Sequence, residues 1–134
     1  MDTGHILLQE KEPIYTYDTA GTLYERLQYK GAQLVLKTVQ AIEQGNDTQT
    51  PQVSTRESSL KEAPKIYKEN CQIDWGQAAE VILSFIRGLS PYPAAWTVLN
   101  DQTYKVLSAT RARVALPSLN PGQVHSDGKH YVHV

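Results

Sequence analysis

Apolar positions from Thr19 to Gln44 recur at helical spacing. Leu23, Leu27, Leu34 and Ala41 form one stripe and Tyr24, Val35 and Ile42 widen it, while Glu25, Arg26, Lys30, Gln33, Lys37 and Gln40 occupy the remaining surface. Asp18 is placed to cap this helix, or Thr22 and Glu25 to form a capping box one turn later, and Gly45 is the expected C′ residue. Gly31 lies inside the span at a cost of about 1 kcal/mol relative to Ala, which predicts a kink or a close packing contact there. Ahead of the helix, residues 6–11 read as a brief strand ending before Pro13. One strand and one helix cannot bury each other, because a domain needs two packed layers. The stripe therefore wants a sheet that this chain does not hold, and the first half reads as part of something larger.

The pattern changes after a polar stretch in which Val53 is the one aliphatic residue between Asn46 and Ser59. That stretch reads as a linker over residues 46–62. Residues 63–68 then read as extended. Asp74 looks like an N-cap with Gln77 at capping-box spacing, and Ala78, Ile82, Phe85 and Leu89 share a face with Ala79 and Ile86 beside them. The spacing predicts a helix over residues 75–89, stopped by Gly88, Pro91 and Pro93. Short strands follow over 95–99, 104–109 and 111–116, the first two joined by a turn at Asn100-Asp101. Two more, over 123–125 and 130–134, flank Ser126-Asp127-Gly128. A helix feeding several short strands suggests a small barrel.

Composition narrows the reading. The chain has 134 residues, a net charge of −1, 20% charged and 40% hydrophobic residues. That is enough for one domain or two small units with a modest core. Unbroken apolar runs such as Leu34-Val35-Leu36 stop at three residues, too short for a membrane span, and the start has no signal-peptide pattern. The single cysteine, Cys71, excludes an internal disulfide, suits a reducing cytoplasm and reads as a partly buried small residue. Charge is uneven. Residues 1–60 hold five basic and eight acidic side chains, a balance of −3, and residues 61–134 hold eight and six, a balance of +2. The second half is the better candidate for meeting a polyanion.

Two blocks of sequence then carry a resemblance. Lys65-Ile66, Ile73-Asp74-Trp75, Ala79, Ile82 and the run from Ile86-Arg87-Gly88 through Pro91-Tyr92-Pro93 to Ala95-Trp96-Thr97 resemble the "K(I/L)…IDW…IRG(L/F)NPWPGAW" signature of methionyl-tRNA formyltransferases. Ser90 and Tyr92 depart mildly from it. At the other end, Asp2-Thr3-Gly4-His5-Ile6-Leu7-Leu8 resembles the "LDTGxxLL" motif, and Asp18-Thr19-Ala20-Gly21 with Leu23, Arg26 and Leu27 the "DTAGxLxxRL" helix start. The family's upstream Asn-x-His pair and "SLLPxYRG" loop are absent. The resemblance implies an α+β chain. Residues 1–45 would be the last strand and helix of a Rossmann-like catalytic domain, residues 46–62 a linker, and residues 63–134 an incomplete OB-like open barrel, preceded by a helix, that contacts tRNA.

The implied reaction moves a formyl group from 10-formyltetrahydrofolate to the amine of initiator methionyl-tRNA through a tetrahedral intermediate. It needs an oxyanion stabiliser, a proton shuttle and a carboxylate that orients the shuttle. By resemblance Asp2 is that carboxylate, and Thr3 and Gly4 lie against the folate, although a turn with Gly supplying positive φ would produce the same tripeptide. His5 reads as a solvated turn residue. Without the missing N-terminal catalytic region the chain alone is expected to be inactive; the whole enzyme is expected to be a cytoplasmic monomer with no membrane partner.

Lys65, Lys68, Arg87, Arg111 and Arg113 are the candidates for tRNA phosphates, with Lys105 and Lys129 behind them, although cations coat any protein surface. Arg87 lies opposite the apolar face and is expected to point to solvent or the other domain; Arg111 and Arg113 are expected on one face of a strand. Tyr104 and Tyr131 are the few aromatics able to stack on bases, and Trp75 and Trp96 read as core. His125, His130 and His133 read as surface strand histidines, and no metal is expected. The rival readings are a fragment of a related formyl-tetrahydrofolate enzyme, a non-catalytic nucleic-acid-binding module, and a dimerisation piece using the Leu23–Leu27–Leu34 stripe.

Overall fold

A computed structural model of the chain describes residues 4–46, 48–52, 63–112 and 120–134. By contacts it divides into one unit of residues 1–18 and 22–65 and a second of residues 19–21 and 66–134. The architecture is α+β.

The first unit is built on α1, Ala20–Glu43. Its C-terminus closes as the sequence predicts. Gly45 takes φ +67°, its N–H donates to Ile42 O at 3.0 Å, and Asn46 N–H donates to Ala41 O at 2.8 Å. Those two bonds satisfy carbonyls that the last turn leaves open. The start differs from the alternative capping box, because Thr22 lies inside α1 and its hydroxyl donates to Asp18 Oδ1 at 3.0 Å. The close contact expected as one alternative at Gly31 is absent among the described residues: α1 continues through it and nothing lies within 4 Å of where a Cβ would sit.

No residue of α1 is buried. Leu23, Leu34 and Ala41 of the predicted stripe are half-covered, but Leu27, Val35, Leu36, Val39 and Ile42 are exposed. The strand expected over residues 6–11 reduces to a single antiparallel pair between Ile6 and Thr50.

In the second unit a 3-10 turn at Lys68–Cys71, at the end of the stretch read as extended, leads into α2, Ala79–Leu89. This helix starts one turn later than predicted. The Asp74 carboxylate accepts the Gly76 N–H at 2.9 Å and the Gln77 side chain at 2.8 Å, so residues 74–77 form a side-chain-closed turn. Gly88 lies within α2, and the peptide bonds before Pro91 and Pro93 are cis.

β1, Ala95–Leu99, pairs antiparallel with β2, Gln102–Val106, with Ala95 opposite Val106. Between them Asn100 and Asp101 adopt φ of 50° and 60°, the left-handed pair that a two-residue hairpin turn requires. Here the sequence reading placed the second strand too late. β1 is matched residue for residue by 102–106, so the ladder has no partner for residues 107–109. The predicted third strand is not formed at residues 111–112, and the rest of it lies outside the described residues. β3, His125–Ser126, pairs with β4, Val132–His133, around a turn in which Gly128 takes φ +71°. Two separate two-stranded sheets result, and no closed barrel is formed among the described residues.

The core of this unit is small: Cys71, Ile73, Ile86, Leu89 and Ala95 are buried, with Trp75, Ile82, Phe85, Trp96 and Val106 packed around them. Both tryptophans flank the core as predicted, each with its indole N–H satisfied, by Thr97 Oγ1 and Lys68 O respectively. Cys71 is more buried than the sequence suggested, at 1% exposure, and its thiol donates to Tyr67 O. An apolar groove of about 1030 Å³ lies beside this core, with Trp75, Ile82, Leu99, Val106, Val124 and Tyr131 in its walls.

Ile86 is fully buried. Ile86→Ala is expected to cost about 2–5 kcal/mol, read as a lower urea midpoint by tryptophan fluorescence. Val81→Ala on the exposed face of α2 is expected to cost less than about 0.5 kcal/mol.

Candidate functional site

In the first unit Gly4 opens an extended segment running along α1. Asp2 and Thr3 lie outside the described residues. Gly4 is exposed, with nothing within 4 Å of a Cβ position, and its carbonyl accepts Gln52 Nε2 at 2.7 Å. His5 is exposed, as expected of a turn residue.

Beyond Ile6 the segment is tied to α1 by charge. Lys37 Nζ meets Glu10 Oε1 at 2.9 Å, Lys30 Nζ meets Glu12 Oε2 at 2.7 Å, and Arg26 Nε meets Glu12 Oε1 at 2.7 Å. Arg26 also spans both Asp18 carboxylate oxygens at 2.7 Å each and donates to Pro13 O at 3.1 Å. Its guanidinium lies 5.2 Å from the centre of the Tyr15 ring, which stacks on Tyr17.

Arg26 holds the buried Asp18 carboxyl well below the usual carboxylate range, helped by the Tyr15 N–H, and Asp18 and Glu12 in turn hold the guanidinium above its ordinary value. Lys30 first, then Arg26, lower Glu12, and Lys37 lowers Glu10. Sequence reasoning missed this network. Its signal was the two-residue spacing of Glu10 and Glu12, which puts both on one side of an extended chain. The helical spacing of Arg26, Lys30 and Lys37 complements it.

The basic residues expected to meet phosphates sit on different elements, Lys68 in the 3-10 turn, Arg87 in α2 and Arg111 past the end of β2. Lys65 is exposed ahead of the 3-10 turn. Lys68 is also exposed, its ammonium 5.8 Å from the centre of the Trp96 ring. Arg87, expected to point to solvent or to the other domain, is not fully solvent-exposed. It is half-buried, one terminal nitrogen donates to Ser84 Oγ at 3.3 Å, and its buried Nε has no partner among the described residues. Arg111 sits in irregular chain past the end of β2 and meets Glu80 at 2.6 Å, an exposed pair. Arg113 lies outside the described residues, so the expected alternation with Arg111 has no described counterpart. Lys105 is exposed on β2 and Lys129 in the β3–β4 turn.

Tyr104 is exposed and donates to Gln102; Tyr131 stacks on His125 and tilts against His133. His130 pairs with Asp127, whose carboxyl is held low mainly by the backbone N–H groups of His130 and Lys129. No group of three metal-ligating side chains occurs among the described residues, and no helix there is long and apolar enough to cross a membrane.

Comparison with known proteins fixes the class. The profile of the formyl transferase C-terminal domain matches residues 65–134, and the chain belongs to that family. Along its whole length the chain is 44% identical to a methionyl-tRNA formyltransferase of Phocaeicola vulgatus and 42% identical to one of Azobacteroides pseudotrichonymphae, covering 43% and 44% of those proteins. It is 40% identical to a methionyl-tRNA formyltransferase of Chlorobium phaeovibrioides over 92% of the chain and 37% of that protein. The chain spans less than half the length of these relatives.

The low Asp18 and Glu12 carboxyls give a pH dependence of definite sign. Their folded values lie below the unfolded ones, so their contribution is complete above about pH 5 and is progressively lost as pH falls from there toward the folded values. Melting followed by circular dichroism is expected to show a temperature midpoint that falls between pH 5.5 and pH 2.5, a range of about three units chosen around ordinary carboxyl values. Asp18→Asn is expected to lower the midpoint at pH 5.5 and to flatten that acid slope.

Proposed function

We propose that this chain is the C-terminal part of a methionyl-tRNA formyltransferase, comprising the end of its catalytic domain and most of an OB-like domain that contacts tRNA. The observation that carries this reading is the 44% identity to a methionyl-tRNA formyltransferase across the entire chain, Asp-Thr-Gly end included. The exposed apolar side of α1 supports it, since a face holding Val35, Val39 and Ile42 is built to be covered by further layers of a Rossmann-like domain.

In this reading the reaction joins the formyl group carried by 10-formyltetrahydrofolate to the amine of methionyl-tRNA. Asp2 orients and holds charged a histidine supplied by the catalytic region that these residues lack. Thr3 and Gly4 offer backbone to the folate, and the open space beside Gly4 suits a flat ring at close approach. Lys65, Lys68, Arg87, Arg111 and Arg113 face tRNA phosphates, an arrangement favoured by the positive balance of the second half. The enzyme works in the cytoplasm.

The test is a chimera in which this chain replaces the matched region of the Phocaeicola vulgatus relative. It is expected to formylate methionyl-tRNA, and Asp2→Asn in it to lower kcat by about 10²–10⁴-fold, the range for losing acid–base assistance. The isolated chain is expected to show no single-turnover formylation. A folded but inactive chimera, or an active isolated chain, would overturn the reading.

A further inference from the structure

The β3–β4 hairpin is tied firmly at its turn and lightly at its other end. In the turn, Asp127 Oδ1 accepts the N–H groups of Lys129, His130 and Tyr131 at 2.9, 2.8 and 3.2 Å. Ser126 Oγ donates to Tyr131 O at 2.6 Å and accepts the Gly128 N–H at 3.0 Å. The ladder itself has two rungs, Ser126 with Val132 and His125 with His133. A two-stranded hairpin this short is marginal in water unless something further joins its strands.

The outer rung carries the chemistry. Residues directly opposite in an antiparallel pair project from one face of the ribbon. The His125 and His133 rings accordingly have centres 6.3 Å apart and planes inclined by 28°. Tyr131 shares that face, 5.8 Å from the His125 ring and 4.6 Å from that of His133. His125 Nδ1 is buried and has no hydrogen-bond partner among the described residues. A buried imidazole nitrogen ordinarily has a partner, and the other common use of such a nitrogen is to bind a metal ion.

The spacing of the rings suits that use. An imidazole nitrogen lies about 2.0–2.1 Å from a zinc ion and roughly 1.1 Å from its own ring centre, so two rings sharing one ion have centres about 5–6.4 Å apart. The observed pair falls inside that range, and a small side-chain rotation brings it to the tetrahedral end. His133 and Tyr131 line the groove beside the core, which gives water access to complete the coordination. Arg111, a cation lining the same groove, is engaged by Glu80. His130 stands apart from the pair, with its Nδ1 on Asp127 Oδ2 at 2.8 Å.

We propose that His125, through Nδ1, and His133 form a two-histidine site for a divalent late transition-metal ion such as zinc, which staples the open end of the β3–β4 hairpin. Imidazole selects such ions over magnesium and calcium, and the water in the remaining positions keeps the staple reversible. The inference is independent of the function proposed above.

The test is a titration of the 134-residue chain with Zn²⁺. Histidine side-chain NMR is expected to show the His125 and His133 ring resonances moving while those of His5 and His130 stay in place. At Zn²⁺ about ten times its dissociation constant, amide exchange in the β3–β4 ladder is expected to slow about tenfold, because an ion bound only by the closed hairpin multiplies that population by one plus this ratio. His125→Gln and His133→Gln are each expected to weaken Zn²⁺ binding at least about tenfold, since losing a group that merely orients a ligand already costs about 10–100-fold. His130→Gln is expected to bind Zn²⁺ as the parent does.

Shifts centred on His5 or His130, parental binding by both His125→Gln and His133→Gln, or unaltered ladder exchange at saturating Zn²⁺ would overturn the inference. The shifts and the exchange are read in the unsubstituted chain, so a variant that fails to fold leaves the test decisive.

Discussion

The extended segment over residues 7–18 has no ladder among the described residues, and one guanidinium does most of the work that a neighbouring strand would do. Arg26 meets Glu12, both oxygens of Asp18 and the Pro13 carbonyl, while its planar face covers Tyr15. Only arginine offers five donors in a fixed planar fork, so a lysine here, with three donors on one nitrogen, could not reach all of these partners. Because Asp18 also accepts the Tyr15 N–H and the Thr22 hydroxyl, the same carboxylate ties the turn at residues 15–18 to the first turns of α1. Removing the arginine would strand a buried carboxylate, a greater loss than the removal of an exposed pair such as Arg111–Glu80.

In the second unit β1 plays the organising part. Ile73 N–H donates to Trp96 O, Gln72 and Trp96 form a parallel bridge, and Trp75 reaches Thr97. A five-residue strand therefore fixes the chain before α2 on one side and β2 on the other. This explains how so few buried residues sustain a fold. The hydrogen bonds around Trp96 satisfy polar groups that would otherwise lie exposed to apolar packing, and the two indoles close the edge of the core.

What was legible in the sequence was whatever a local rule governs. Gly45 ends α1 because positive φ is needed there, Asn100-Asp101 makes the hairpin for the same reason, and helical spacing located α1 and the body of α2. What failed depended on particular hydrogen-bond partners, some near and some far along the chain, that hydrophobic spacing does not record. The late start of α2 follows from Asp74 engaging Gly76 and Gln77. The early end of β2 follows from the length of β1. Residues 6–11 show the limit most clearly: their one strand partner, Thr50, lies beyond a whole helix, and no periodicity in either segment announces the pairing. The candidate site divides the same way. Its motif residues could be named from sequence, whereas the residues holding Gly4 and Glu12 in place required the fold.

The charge asymmetry between the halves needs the same care. Arg26, Lys30 and Lys37 are engaged with Asp18, Glu12 and Glu10, three cations with three anions. In the second half Arg111 is engaged with Glu80. Pairing removes charges in equal numbers from each side, so the balances of −3 and +2 read from the sequence survive folding. Their meaning changes, however. Three of the five cations in residues 1–60 are structural and are held against their own chain. Lys65 at the end of the first unit and Lys68, Lys105 and Lys129 in the second stand exposed. Screening confines the reach of any such charge to about 8–10 Å at physiological salt. A polyanion therefore responds to where cations remain exposed, and among the described residues these are Lys11 and Lys37 in the first half and Lys65, Lys68, Lys105, Arg111 and Lys129 in the second.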